Sequence, residues 1–131
     1  MAANRRELLI GLGAGLLAGA ASGVAHAAGG GRWVLYVSAP DCINCRGWES
    51  SHRDAFIRGL QKNGMGFRNL VVSSLHNVRN AAEWPADLHW IRDAEPQMSG
   101  TPWFFVINGN TIERAAIGTE QWQHLIAQYA A

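Results

Sequence analysis

Both cysteines of this chain lie in the segment Cys42-Ile43-Asn44-Cys45, between a predicted buried strand and a predicted helix. The preceding run, Arg32–Ser38 (RWVLYVS), is short, almost continuously apolar and rich in β-forming residues, which is typical of a strand buried on both faces. After an interruption at Pro40 and Asp41, a helix is predicted from Cys42 to Lys62. One face of it carries Trp48, His52, Ala55, Phe56 and Gly59. The fold must therefore place the cysteine pair where a helix follows the end of a strand.

Three further strands are predicted, over Phe67–Leu75, Trp103–Asn108 and Thr111–Ile117. The turn sequence Asn108-Gly109-Asn110 joins the last two strands into a hairpin. The sequence therefore predicts a sheet with at least one antiparallel pair.

Two more helices complete the predicted order. Between residues 77 and 97 the pattern is weaker, but Pro85 suits a first helical turn, and Leu88 and Ile91 share a face. A last helix is predicted with Thr119 as its cap and Glu120 in its first turn. Its apolar residues are Trp122, Leu125, Ile126 and Tyr129. The order β-α-β-α-β-β-α predicts an α/β domain with a central mixed β-sheet flanked by helices.

Residues 1–27 have the pattern of an export signal. The basic pair Arg5-Arg6 precedes an uncharged, Gly-rich run, and Ala25-His26-Ala27 fits the small-x-small pattern of a signal peptidase site. The segment is compatible with Sec or twin-arginine export, and an uncleaved membrane anchor is the alternative. With cleavage, residues 28–131 form one soluble mature domain.

Composition narrows the functional classes. Eleven basic and ten acidic residues give a formal net charge of +1, which argues against a nucleic-acid partner. Two cysteines cannot build a disulfide scaffold, so the domain needs a hydrophobic core. All six tryptophans lie beyond residue 30 and are expected mainly in that core.

The spacing of Cys42 and Cys45 suits thiol–disulfide chemistry. Unpaired N–H groups and the helix dipole favour a thiolate at Cys42, the form that attacks disulfides. Arg46 adds positive charge, whereas the carboxylate of Asp41 works against the thiolate. Cys45, one turn deeper, suits the resolving role. A structural disulfide or part of a metal site are the alternatives, although zinc commonly needs a second ligand pair.

The order of elements and three short motifs resemble the thioredoxin-like superfamily. Gly100-Thr101-Pro102 before a strand resembles the cis-proline loop of that family, Asn108-Gly109 its hairpin turn, and Gly118 a glycine bordering its substrate groove. The resemblance implies catalytic Cys42 and Cys45. It also implies that Thr101, Pro102 and Gly118 bind substrate, with a cis Pro102 leaving the Thr101 backbone open to pair with an extended segment.

The chain also departs from thioredoxin itself. Asp41 replaces a tryptophan, Ile43-Asn44 replaces Gly-Pro, and Tyr36 occupies the position of a buried acid. Cys45-Arg46-Gly47-Trp48-Glu49 resembles the C-x-x-C-[KR]-x-aromatic-Glu pattern of the C-terminal thioredoxin-like domain of the bacterial membrane disulfide reductase DsbD.

Two polar residues of the helix are candidates for a role beside the cysteines. Glu49, four residues after Cys45, shares its helical face and is a candidate proton acceptor during resolution, or else a solvated surface residue. His52 lies on the same stripe and is more typical of a core or groove histidine than of a catalytic one.

These features predict a periplasmic thiol–disulfide oxidoreductase that reduces or exchanges disulfides in exported proteins. It needs no organic cofactor or metal, and its partners are protein disulfides or dithiols together with a membrane electron donor or acceptor. Two other classes remain open. An exported copper chaperone would bind Cu(I) through both thiolates, and a redox-inert adaptor would keep only the fold.

Overall fold

The computed structural model describes residues 31–118 and 121–131. A four-stranded mixed sheet is built from β1 (Arg32–Ser38), β2 (Gly66–Val71), β3 (Trp103–Asn108) and β4 (Thr111–Ile117), in the spatial order β2-β1-β3-β4. β1 is parallel to β2 and antiparallel to β3, and β3 is antiparallel to β4. The helices are α1 (Ile43–Ser51), α2 (Arg53–Lys62), α3 (His89–Ala94) and α4 (Trp122–Leu125).

Shorter helical turns fill one connection and extend the last helix. Three 3₁₀ turns, Leu75–Asn77, Ala81–Glu83 and Ala86–Leu88, lead from β2 to α3, and α4 continues as a π-helical turn over Ile126–Ala130. With α1 and α2 counted as one kinked helix, the predicted order β-α-β-α-β-β-α is confirmed. The architecture is consistent with a thioredoxin-like α/β fold.

The core lies on both faces of the sheet. Val34 to Val37 of β1 are all fully buried, as expected for a central strand covered on both sides. On one face, Tyr36 and Phe104 pack against Trp48 of α1, with ring centroids 4.7 and 5.0 Å from it. Because side chains alternate along a strand, Trp103 and Phe105 stack on the opposite face, 5.6 Å apart. The predicted inward residues Leu88 and Ile91 are also buried.

The single long helix predicted over Cys42–Lys62 is wrong in detail. Cys42 is the N-cap rather than a helical residue, and the helix is kinked at His52, where φ is −133° and ψ is −19°. Hydrogen bonds from His52 N to Trp48 O and from Phe56 N to His52 O carry the backbone ladder across the kink. In the turn before it, the Ser50 hydroxyl donates to Gly47 O at 3.2 Å, a back-bond that bends helices. Ala55, placed on the buried face by its spacing, is exposed.

The second strand is shorter than the predicted Phe67–Leu75. It ends at Val71, although Val72 N still donates to Ser38 O at 2.8 Å. Beyond that point Ser73 hydrogen-bonds Glu83, and the next two residues bind the carboxylate of Asp41. These polar contacts draw the chain away from the sheet.

Some predictions fall outside the described residues. They are the export signal over 1–27 and the capping roles of Thr119 and Glu120. Within the described ranges, no helix is both long enough and apolar enough to cross a membrane.

Candidate active site

One end of the sheet brings the predicted site residues together. Trp103 pairs with Val37 and also with Ile117, so the residues before β3 and after β4 lie at the end of β1 that leads to Cys42. The Thr101–Pro102 peptide bond there is cis. Gly118 N donates to Pro102 O at 2.8 Å, which fixes the two predicted substrate-binding segments to each other.

Cys42 and Cys45 form a disulfide at the N-terminus of α1. Cys42 Sγ accepts a hydrogen bond from Cys45 N at 3.1 Å, so the sulfur itself caps the helix. The exposed fraction of Cys42 is 2% and that of Cys45 is 0%. In this oxidised form the two cysteines therefore differ less in exposure than the sequence suggests. The two cysteines differ instead in hydrogen bonding, because Cys42 Sγ accepts a hydrogen bond from a helix N–H group.

Asp41 anchors a neighbouring loop to the cysteine segment. Its carboxylate accepts hydrogen bonds from the Ser74 hydroxyl at 2.7 Å and from Leu75 N at 2.9 Å. The Ser74 hydroxyl, followed by the Leu75 N–H, holds the pKa of Asp41 below its usual value. Because this pKa is lower in the fold than in the unfolded chain, these bonds stabilise the fold at neutral pH. This contribution is lost as the pH falls from about 4, the usual pKa of an aspartate, through the lower pKa that Asp41 has in the fold.

The charge of Asp41 gives a first prediction. Asp41→Asn keeps an oxygen for Leu75 N but removes a negative charge beside Cys42. The Cys42 thiol of the reduced full chain should then be alkylated at a pH lower by up to about one unit, because an exposed charge is screened by solvent. The pH dependence of the alkylation rate measures this. Asp54→Asn, in the first turn of α2, is the matched control. Equal midpoints for Asp41→Asn and the parent would show that Ser74 and Leu75 already neutralise the carboxylate.

Glu49 does not extend freely into solvent. It is half-buried, and its Oε2 accepts a hydrogen bond from the Tyr36 hydroxyl at 2.9 Å. Tyr36 departs from the thioredoxin pattern, and the spacing of the motifs does not predict its contact with Glu49. A signal was available, since the hydroxyl of a buried tyrosine usually needs a partner.

A cleft borders the cysteine pair along α1. It encloses about 230 Å³ and is lined by Ile43, Asn44, Gly47, Trp48, His52 and Trp122. The side chain of Ile43, between the two cysteines, is the most exposed large apolar group described, at 79%. The ring of His52 lies 4.0 Å from that of Trp122, between centroids, so His52 is engaged in packing at the kink.

A second cleft lies next to the segment that precedes Thr101. It encloses about 360 Å³ between the segments 75–79 and 98–100. The Asp41 bonds to Ser74 and Leu75 fix one of its walls next to the cysteine segment. Both clefts therefore include residues next to the cysteine segment in sequence or hydrogen-bonded to it. Trp84 and Trp103 line neither of them and are buried in the core.

No protein-family model matches the chain, and no match was found among curated proteins. Within residues 31–118 and 121–131, no three His, Cys, Asp or Glu side chains are grouped so as to hold a metal ion.

Proposed function

We propose that this chain is an exported thiol–disulfide oxidoreductase of thioredoxin-like type, acting in the periplasm on disulfides of exported proteins. The observation that carries the proposal is the Cys42–Cys45 disulfide at a helix N-terminus, at the same end of the sheet as the Thr101–Pro102 loop and Gly118. A disulfide in that position borders the cleft along α1, and a substrate polypeptide bound in this cleft would lie beside the two sulfurs.

The reaction follows from the two sulfurs. In the reduced protein, the Cys42 thiolate attacks a substrate disulfide, forming a Cys42–substrate bond and releasing one substrate thiolate, which takes a proton. The Cys45 thiolate then attacks Cys42 Sγ and releases the second substrate thiolate. Two electrons pass from the cysteine pair to the substrate, and the pair ends as the disulfide seen here. The same steps in reverse oxidise a dithiol.

Helix geometry supports Cys42 as the attacking group. Its sulfur already accepts the N–H of Cys45, and no acidic residue lies in the first turn of α1. The hydrogen bond and the helix dipole stabilise negative charge on Cys42 Sγ, and the carboxylate of Asp41 opposes them. In the resolving step the charge on Cys45 moves onto the leaving substrate sulfur.

The pattern Cys45-Arg46-Gly47-Trp48-Glu49 supports a narrower proposal. Its resemblance to the C-terminal domain of DsbD favours net reduction of substrates, with a membrane electron donor that restores the dithiol. The N-terminal segment 1–27 supplies the export signal in this proposal.

The deciding experiment measures the reduction potential of the Cys42–Cys45 pair in the full chain, by equilibration with glutathione buffers, together with the metal content of the purified protein. We expect a reversible couple between about −270 and −120 mV, the range of known oxidoreductases. A couple well below about −300 mV, typical of structural disulfides, would contradict the proposal and favour the inert adaptor. Stoichiometric copper on the reduced protein would favour the chaperone instead.

A further inference from the structure

The hydrogen bond from Tyr36 to Glu49 lies directly beneath the resolving cysteine. Tyr36 is fully buried in the centre of β1, and its hydroxyl donates to Glu49 Oε2 at 2.9 Å. The same hydroxyl lies 3.4 Å from the carbonyl oxygen of Cys45, which is a long contact. The hydroxyl therefore stands between the Glu49 carboxylate and the backbone of Cys45.

Packing fixes where this hydroxyl lies. The Tyr36 ring contacts the rings of Trp48 and Phe104, with centroids 4.7 and 5.0 Å away. Burial, followed by the bond to Glu49, raises the pKa of Tyr36 far above its ordinary value. The hydroxyl keeps its proton at neutral pH, so Tyr36 is the donor and the carboxylate the acceptor.

Without this bond, the Glu49 side chain has rotamers that lead into solvent, because the residue is half-exposed on the surface of α1. With it, the carboxylate is held on the side of the helix that faces the sheet. Cys45 lies one turn earlier on that same side, at the i,i+4 spacing that brings helical side chains together.

We propose that Tyr36 is a positioning residue, whose hydroxyl holds the Glu49 carboxylate beside Cys45 so that Glu49 takes the Cys45 proton during resolution. This inference rests on the proposed oxidoreductase function. In the step, the Cys45 S–H proton passes to a Glu49 oxygen and the new thiolate attacks Cys42 Sγ. The Cys42–substrate bond breaks, and the substrate sulfur leaves as a thiolate that takes a proton.

The test is a double-mutant cycle in the full chain, with Tyr36→Phe, Glu49→Gln and the double variant. The reduced proteins react with an aromatic disulfide whose thiolate absorbs visible light, so attack and resolution appear as two phases of stopped-flow absorbance. Glu49→Gln should slow only the second phase, by about 10²-fold, the low end for general-base catalysis. Tyr36→Phe should slow the same phase by roughly tenfold, as loss of one hydrogen bond to a charged group would. The double variant should match Glu49→Gln, because Tyr36 acts only through that carboxylate.

A second measurement is independent of turnover. In full chains carrying Cys42→Ala, the rate of Cys45 alkylation is followed against pH. Glu49→Gln removes a nearby negative charge and should move the midpoint to lower pH, and Tyr36→Phe should move it in the same direction by less. The other charged residues near this site are the same in every variant. They are Arg53, whose guanidinium lies 5.8 Å from the centroid of the Phe67 ring that stacks on Tyr36, and Arg46 and Asp41 on the loop side.

The chain offers a matched control in Tyr129→Phe. The Tyr129 hydroxyl also contacts a carboxylate, Glu113 Oε1 at 3.4 Å, but at the opposite end of the sheet, so both readouts should stay at parent values. Equal second-phase rates for Tyr36→Phe and the parent would overturn the inference. So would additive slowing in the double variant, which indicates a packing role. A parent protein with no second phase would contradict the proposed function, and the alkylation midpoints would then decide the positioning role alone.

Discussion

Cells that export the Cys45→Ser variant should accumulate covalent adducts between Cys42 and substrate proteins, whereas the Cys42→Ser variant should give almost none. The reason is the order of the two attacks. Cys42 Sγ accepts a hydrogen bond from the helix N–H group of Cys45 and begins the reaction. The Cys45 thiol is close enough to attack the mixed disulfide that forms and to release the substrate. Removing the second thiol therefore stops the cycle at the mixed disulfide.

The adducts are measured on non-reducing gels as bands that disappear with reductant, and mass spectrometry identifies the trapped proteins. Because each single variant lacks one partner of the Cys42–Cys45 disulfide, its remaining thiol stays free to form adducts in the cell, and free thiols are alkylated before the gel is run. The double variant Cys42→Ser/Cys45→Ser controls for non-covalent association. Equal trapping by both single variants would contradict the assigned roles, and so would trapping by neither.

The sequence predicts most of the sheet correctly because residues that end strands directly follow three of its four strands. β1, β3 and β4 have the predicted limits, since β1 and β3 are largely apolar runs and all three strands are closed by Pro, Asn or Gly. Such runs have few alternative placements when both faces must be buried, as Val34–Val37 are.

Where the prediction failed, contacts between distant residues are part of the cause, together with the local bond from Ser50 to Gly47 before the kink. β2 ends early because Asp41, some thirty positions before it along the chain, binds Ser74 and Leu75. The kink at His52 brings its ring against Trp122, a residue of α4. Asp41 and Trp122 lie far along the chain from the residues that they contact, so patterns of neighbouring residues do not predict these contacts.

The sequence predicts which residues form the candidate site, and the structure adds the hydrogen bonds between them. Motif spacing placed Cys42, Cys45 and Glu49 on one helix face. The contact that orders Glu49 comes from Tyr36 on another element, and it depends on the packing of a strand beneath a helix. The position of a carboxylate in a site is therefore less predictable than its presence.

Gly59→Ala should destabilise the fold strongly, because α2 packs directly on the last turn of the chain. A Cβ at Gly59 would lie 2.0 Å from the carbonyl oxygen of Ala130 and 2.8 Å from its carbonyl carbon. These are backbone atoms, and the bond from Asn63 Nδ2 to Tyr129 O at 2.8 Å holds the same turn in place. The segment Ile126–Ala130 must therefore shift as a unit or leave the surface of α2.

Overpacking of this kind costs typically 1 to 3 kcal/mol and sometimes more, against a gain of about 1 kcal/mol in helix propensity. Because the approach to a backbone oxygen is 2.0 Å, the cost should lie at the upper end of this range. We therefore expect a net loss of about 2 kcal/mol, and a melting temperature lower by roughly 10 °C for a domain of this size. Gly47→Ala is the matched control, because Gly47 is also helical but a Cβ there would meet no atom within 4 Å. That variant should be up to about 1 kcal/mol more stable than the parent. Thermal and urea unfolding of the oxidised proteins measure both changes. A Gly59→Ala protein as stable as Gly47→Ala would show that the C-terminal turn does not rest on α2.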